Sequence, residues 1–403
     1  MQRIGKRERK YINQVLDTQF KSSAGGIMTK RLEEAFAGKI GVRYAIAHIN
    51  GTATMHAALV AAGVGPGDEV IVPPLTMLST ALVVLHANAI PVFADVDPLT
   101  FTIDPADVRQ KITPYTKAII PVALYGLAPD MDTIMDIARE YSLTVIEDDA
   151  QCLLGGYKGR VVGSIGHMAS FSFQSSKHLT SGEGGITTTN DEDLANKIRR
   201  FNSLGYAGVS AAKGKITKED IQDPIYERHV SLGFNYRLPE LCSAVLLAQV
   251  ERMEELVQKR VEVAKLYAQA VEGCSWLIPQ KVPEGYEHAY WTYVLRIEDG
   301  VRLSWYEFRK KYMEFGGDGI YAAWKLSYLE PVFKEHNFYP KGCPIKCTHY
   351  RGKLQDYNVG LCPSAEALQP RLLQLKTNYL DNRTSEQKAE ALARTVLYFD
   401  QNN

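Results

Sequence analysis

Between about residues 40 and 150, short apolar runs alternate with stretches of helical period. Residues 44–49 predict a buried strand, and 52–62 a helix stopped by Gly63, Gly65, Pro66 and Gly67. Strands are expected at 69–72, 91–96, 118–124 and 144–147, with helices at 76–87, 104–112 and 130–141 between them. Asp104 is placed to cap the third helix, with Pro105 at its first position. Alternation of this kind implies a mostly parallel sheet flanked by helices on both faces, an α/β architecture. Ligands of such sheets bind beyond the carboxyl ends of the strands.

The rhythm then changes. Residues 168–173 and 185–189 predict two strands joined by a polar, glycine-rich turn. Residues 238–270 predict one long helix, able to connect two domains, and 208–228 a long polar loop. Towards the carboxyl end, 290–297 alternate as a strand does, while 305–315 and 385–399 have helical period. A smaller α+β unit is therefore expected after the large one. The chain has 403 residues, more than one core usually serves, and the division is drawn at 1–252 and 253–403.

Composition narrows the function. Apolar residues make up 45% and the formal net charge is zero, so neither nucleic acid nor an acidic membrane surface is an expected partner. The short basic run at 213–218 lacks interleaved aromatics and reads as a solvated loop. No apolar run approaches the roughly 18–20 residues of a membrane span, and no apolar signal region follows the amino terminus, so a cytoplasmic protein is expected. The six cysteines are scattered; Cys343 and Cys347 have no second pair at zinc-binding spacing, and no metal is expected.

Three stretches carry candidate chemistry. Lys177 follows an apolar strand in a small-residue loop and precedes Gly182-Glu183-Gly184-Gly185. A Schiff-base lysine needs such a tether, partly removed from water. Taken alone, however, a lysine in a glycine-rich turn is usually a solvated surface residue. Residues 144–147 lead into Glu147-Asp148-Asp149-Ala150-Gln151, an apolar strand ending in acids. A carboxylate there could balance a protonated ring nitrogen, although spacing does not rank the three acids and strand-end acids often only cap helices. Asn50-Gly51-Thr52-Ala53 joins a strand to a helix start, where free N–H groups and the helix dipole favour a phosphate. Many strand–helix turns look the same.

Together these stretches resemble the DegT/StrS-type sugar aminotransferases, which use pyridoxal 5′-phosphate (PLP) on the aspartate-aminotransferase-like, type I fold. The resemblance extends to Pro66-Gly67-Asp68-Glu69, Asp95-Val96-Asp97-Pro98, Gly233-Phe234-Asn235-Tyr236-Arg237 and Cys362-Pro363-Ser364. It implies a PLP-binding large domain with Lys177 as the Schiff-base lysine and acid/base. Asp148 would pair with the pyridine nitrogen and Gln151 would lie near the ring hydroxyl. Ser172 with Gly51, Thr52 and Ala53 would hold the phosphate. Asn235 would reach the phosphate of a neighbouring subunit, which implies a homodimer with shared sites.

Two positions depart from the family pattern. Met77 stands where relatives stack an aromatic ring on the cofactor, and Trp291 where they often carry histidine. Trp291, Trp324 and Tyr321 could stack on a sugar or simply pack; Arg237 and Lys325 are candidates for substrate anions.

The resemblance implies amino transfer from glutamate, or glutamine, to a keto- or aldehyde-sugar. Residues 174–180 are similar to members that aminate an acidic octulosonate of lipopolysaccharide. Nucleotide-sugar and aminocyclitol acceptors are the alternatives. Dehydratase relatives replace the lysine with histidine, and His178 lies beside Lys177, but the lysine is present. A PLP-fold sensor without turnover would be expected to lose these residues, and they are intact.

Overall fold

The computed structural model describes residues 2–20, 27–214, 216 and 222–402. Part of the 208–228 stretch, including Lys215 and Lys218 of the basic run, lies outside the described residues.

The chain opens with two helices, α1 (Lys6–Asp17) and α2 (Ile27–Ile40), which the sequence reading did not predict. The predicted alternation follows: β1 (Tyr44–His48), α3 (Gly51–Ala61), β2 (Glu69–Val72), α4 (Ser79–His86), β3 (Ile90–Phe93), α5 (Pro105–Lys111), β4 (Thr116–Ile119), α6 (Met131–Tyr141) and β5 (Thr144–Asp148). Asp104 caps α5 through the Ala106 N–H, and Asp130 caps α6 through Thr133. Short strands β6 (Gly156–Tyr157) and β7 (Arg160–Val161) precede β8 (Met168–Ser172), β9 (Gly185–Thr189) and α7 (Glu192–Asn202).

Among the described residues the main sheet has the order β1-β9-β8-β5-β4-β2-β3. β9 runs antiparallel to both its neighbours, while β8, β5, β4, β2 and β3 pair in parallel. Both faces are buried, as a parallel sheet requires. Phe36 of α2 and Ile134 of α6 belong to the apolar cluster on one face; Leu59 of α3 and Val84 of α4 belong to that on the other.

The helix expected over 238–270 is instead two, α8 (Glu240–Val250) and α9 (Met253–Ala270). No glycine or proline lies between them. The break sits at Arg252, whose backbone leaves the helical region and whose guanidinium bonds Glu8 and the carbonyl of Arg3. A tertiary contact, not a local breaker, ends the helix.

Beyond it, β10 (Leu277–Pro279), β12 (Thr292–Ile297), β13 (Tyr321–Ala322) and β14 (Leu372–Lys376) form an antiparallel sheet in the order β10-β12-β14-β13. Its cluster includes Val263 of α9, Phe308 of α10 (Trp305–Glu314) and Leu392 of the terminal helix. β11 (Tyr286–Glu287) joins β6 and β7 in a small third sheet. The strand expected at 290–297 is β12, which is buried on both faces. Tyr293, Leu295 and Ile297 pack in the small-sheet cluster, and Val294 packs in the cluster on the large sheet.

Candidate active site

The parallel strands end along one edge of the sheet, and the segments that leave them converge there. A cavity of about 500 Å³ is lined by Asn50–Thr52 after β1, Thr76 and Met77 after β2, and Val122 after β4. Asp148 at the end of β5 with Gln151 beyond it, and Ser172 at the end of β8 with Gln174, Ser176 and Lys177 beyond it, also line the cavity. Glu183 enters just before the antiparallel β9, and Trp291 and Trp324 also line the cavity. The volume lies within the range of small-molecule sites.

Lys177 sits in the β8–β9 connection. Its Nζ lies 4.6 Å from the centre of the Trp291 ring, whose own Nε1 donates to the Ser176 carbonyl at 3.0 Å. Burial pulls the amine down to about 8; Asp148 opposes that shift and Arg260 adds to it.

Strand alternation separates the three acids. Glu147 accepts from the N–H groups of Gly163, Ile165 and Gly166 and serves the fold. Asp149 has a buried Oδ2 without a hydrogen-bond partner, and burial with the charges of Glu147 and Asp148 pushes its carboxyl far up. Asp148 alone of the three lines the cavity. It accepts from Thr80 Oγ1 at 2.8 Å and from the Ala150 N–H at 3.2 Å. Burial raises its pKa, and these two bonds and Lys177 hold it down.

At the other end of the cavity, Asn50 caps α3 by accepting from the Ala53 N–H at 2.8 Å. That bond engages the Ala53 N–H, and Ala53 does not line the cavity. Gly51 and Thr52, as first-turn residues, have no intrahelical acceptor for their N–H groups. Gly51 presses on β8: a Cβ there would stand 2.8 Å from Ser172 Cβ. Gln151 Oε1 accepts from the Tyr125 N–H at 2.8 Å, so its amide nitrogen is what remains to donate.

Met77 is on the wall and 49% exposed. Trp291 and Trp324 stand 6.4 Å apart, centre to centre, while Tyr321 is not on the wall. Asn235, Arg237 and Lys325 are exposed and off the wall of this chain. Arg237 bridges to His48, and Asn235 to Ser203. His178 is buried with Nε2 on the Ala289 carbonyl at 2.9 Å and does not line the cavity. Among residues the sequence reading missed, Thr80 matters most. Its contact with Asp148 spans 68 residues, and no local pattern announces it.

A buried carboxylate with no ion pair among the described residues, a lysine of lowered pKa and a helix start cut back to glycine fit a planar cationic ring with a phosphate tail.

The sequence profile of the DegT/DnrJ/EryC1/StrS aminotransferase family matches residues 2–375. The chain is 41% identical over 305 residues to GDP-perosamine synthase of Caulobacter vibrioides, covering 75% of this chain and 77% of that one. It is 38% identical over 296 residues to the spore coat polysaccharide biosynthesis protein SpsC of Bacillus subtilis, covering 73% and 74%. An aminotransferase from Psychrobacter cryohalolentis superposes with a TM-score of 0.84 at 29% identity, over 99% of this chain and 98% of that one. The fold is thus that of the PLP-dependent aminotransferases. The histidine that marks the dehydratase relatives is not at the lysine position, and the chain belongs to the DegT/DnrJ/EryC1/StrS family as a PLP-dependent sugar aminotransferase.

Proposed function

We propose that this enzyme, a cytoplasmic homodimer, moves the amino group of glutamate onto the carbonyl of a keto- or aldehyde-sugar. Lys177 carries PLP and shuttles the proton. The observation that carries the reading is that the amine of Lys177, lowered by burial, and the buried carboxylate of Asp148 line one cavity.

PLP, when bound, supplies a carbonyl for the amine and an electron sink that eases loss of a proton from carbon. The protein supplies the rest. Asp148, held toward its ionised form by Thr80 and the Ala150 N–H, balances the charge on the ring nitrogen. Gln151 has an amide N–H to offer the ring hydroxyl, and Ser172 with the N–H groups of Gly51 and Thr52 holds the phosphate. Met77, on the cavity wall, would offer the ring its polarizable sulfur. A lysine pulled to about 8 can take and return a proton near neutral pH. Trp291 and Trp324 offer aromatic faces to the apolar side of a sugar ring.

Asn235 completes the phosphate site of a second copy. Support comes from its own segment, which exposes Ile225 (86%), Leu232 (79%) and Phe234 (39%), an apolar stretch that association would cover. Arg237 and Lys325, off the wall of their own chain, are the proposed partners of substrate carboxylates.

For the acceptor, an acidic 8-oxo-octulosonate destined for lipopolysaccharide is the first reading. A nucleotide-linked keto-sugar is the second, favoured by the 41% identity to a GDP-perosamine synthase. The test is transfer of ¹⁵N from labelled glutamate to each acceptor, offered in competition at equal concentration and read by mass spectrometry. A sugar product supports the reading, and the preferred acceptor chooses between its two forms. Label left in glutamate with every keto- and aldehyde-sugar overturns it.

A further inference from the structure

Arg260 lies on α9 behind the lysine loop and is 4% exposed. A buried guanidinium normally faces a carboxylate. Among the described residues Arg260 has no such partner, and its bonds go to neutral oxygens. Nη2 donates to the carbonyls of Ser176 at 3.1 Å and Lys177 at 2.9 Å. Nη1 donates to the Trp291 carbonyl at 2.7 Å and to Thr377 Oγ1 at 3.2 Å. One planar fork thus ties the loop of the large sheet to Trp291, just ahead of β12, and to Thr377, just beyond β14. Arg3 joins from the amino-terminal segment, donating to the carbonyl of Ser175 at 2.6 Å and to that of Lys177. The carbonyl of Lys177 therefore accepts from two guanidinium groups, and Arg252 in turn holds the carbonyl of Arg3 at 2.7 Å.

We propose that Arg260 is a positioning residue for Lys177, fastening the lysine backbone to Trp291 and the small sheet, with Arg3 as a second clasp on the same carbonyl. This rests on the reading of Lys177 as the cofactor-bearing lysine. A loop of small residues would otherwise leave the amine free to sample several directions. The fork is the means, because five fixed N–H groups can hold several carbonyls at once and a lysine ammonium cannot reproduce that geometry. Position and charge act together. The groups around the Lys177 amine are Asp148 and Glu183 on the cavity wall, Arg260 and Arg3 behind the loop, and the adjacent His178. Burial holds His178 neutral. Asp148 favours the charged amine, and Arg260 opposes it.

The two contributions separate in two variants. In full-length protein freed of cofactor, the rate at which an amine-directed reagent labels Lys177, followed by peptide mass spectrometry across pH, reads the fraction of uncharged amine. Arg260→Met should slow labelling at pH 7 by about tenfold, equivalent to about one pH unit in the midpoint. Arg260→Lys should keep the labelling midpoint of the wild type yet lower kcat after cofactor loading, with KM for glutamate unchanged. Unaltered labelling and unaltered kcat in both variants would overturn the proposal. If Arg260→Met does not fold, Arg3→Ala removes one clasp on the same carbonyl and should lower kcat after cofactor loading, with KM for glutamate unchanged; an unaltered kcat there overturns the proposal equally. A wild-type Lys177 no more reactive than exposed lysines would instead sink the assignment of Lys177 itself.

Discussion

At the residue scale, Glu147, Asp148 and Asp149 are consecutive acids with three different fates. Successive side chains of a strand point to opposite faces, so Asp148 meets the cavity while its neighbours face away from it. Spacing announces an acidic strand end without ranking its acids, and only the family resemblance points to Asp148; the N–H groups that engage Glu147 come from Gly163, Ile165 and Gly166, further along the chain. Asp148→Ala should lower the donor half-reaction rate by roughly 100-fold or more, since breaking a buried charge pair costs about 3–5 kcal/mol. Asp149→Ala should change that rate little, because its carboxyl does not line the cavity. Rapid-mixing kinetics on the two variants would expose a misassignment if the ranking reversed.

Thr80 gives a pH-dependent prediction. Its hydroxyl donates to Asp148 Oδ2, which favours the ionised carboxyl against burial. Thr80→Val removes a hydrogen bond to a charged group, worth about 1.5–3 kcal/mol. The Asp148 carboxyl should then protonate at higher pH, so PLP affinity should weaken on the acid side first and recover as pH rises. An affinity loss equal at every pH would mean that Thr80 acts by packing alone.

At the scale of elements, the parallel core was readable because each strand and helix carries its own signals: apolar runs between glycine and proline, and acids at helix starts. Residues 69–72 and Asp104 are instances, and both stand where expected. The helix expected from Thr76 starts at Ser79, leaving Thr76 and Met77 on the cavity wall. The split between α8 and α9 was hidden for a different reason. It depends on Arg252 meeting Glu8 and Arg3, some 250 residues away, and a local pattern carries no trace of that. Likewise, Gly51, Thr52, Asp148, Gln151, Ser172 and Lys177, close to strand ends, line the cavity, whereas Ala53, Arg237 and Lys325 do not.

The junction of α3 and β8 offers a test at this scale. Gly51→Ala would bring a Cβ to 2.8 Å from Ser172 Cβ. Overpacking of this kind costs about 1–3 kcal/mol. Gly38, in α2, has open space around it, and Gly38→Ala should stabilise by up to about 1 kcal/mol through helix propensity. Thermal denaturation of both variants should move Tm in opposite directions. A Gly51→Ala protein as stable as the wild type would show that α3 and β8 are not packed this closely.

At the scale of the whole molecule, the cavity lies between two sheets. The proposed boundary at residues 252 and 253 coincides with the break before α9, yet Leu326 and Leu368, well beyond it, return to pack against the large sheet. Small-sheet residues can thereby reach the cofactor side, as Trp291 does. The proposed dimer is testable by complementation. A mixture of Lys177→Ala and Asn235→Ala protomers should regain activity in heterodimers, because one of their two sites would combine both wild-type residues. Activity no greater than that of the parent variants would rule out a site shared in this way.

The central claim is that Lys177 bears the cofactor. Borohydride reduction of the PLP-loaded enzyme, followed by proteolysis and mass spectrometry, tests it most directly. The account predicts a single cofactor-modified peptide, containing Lys177 within the Gln174–Gly185 stretch, and none from Lys177→Ala. A modified peptide bearing a different lysine, or no modified peptide from the wild type, would contradict it.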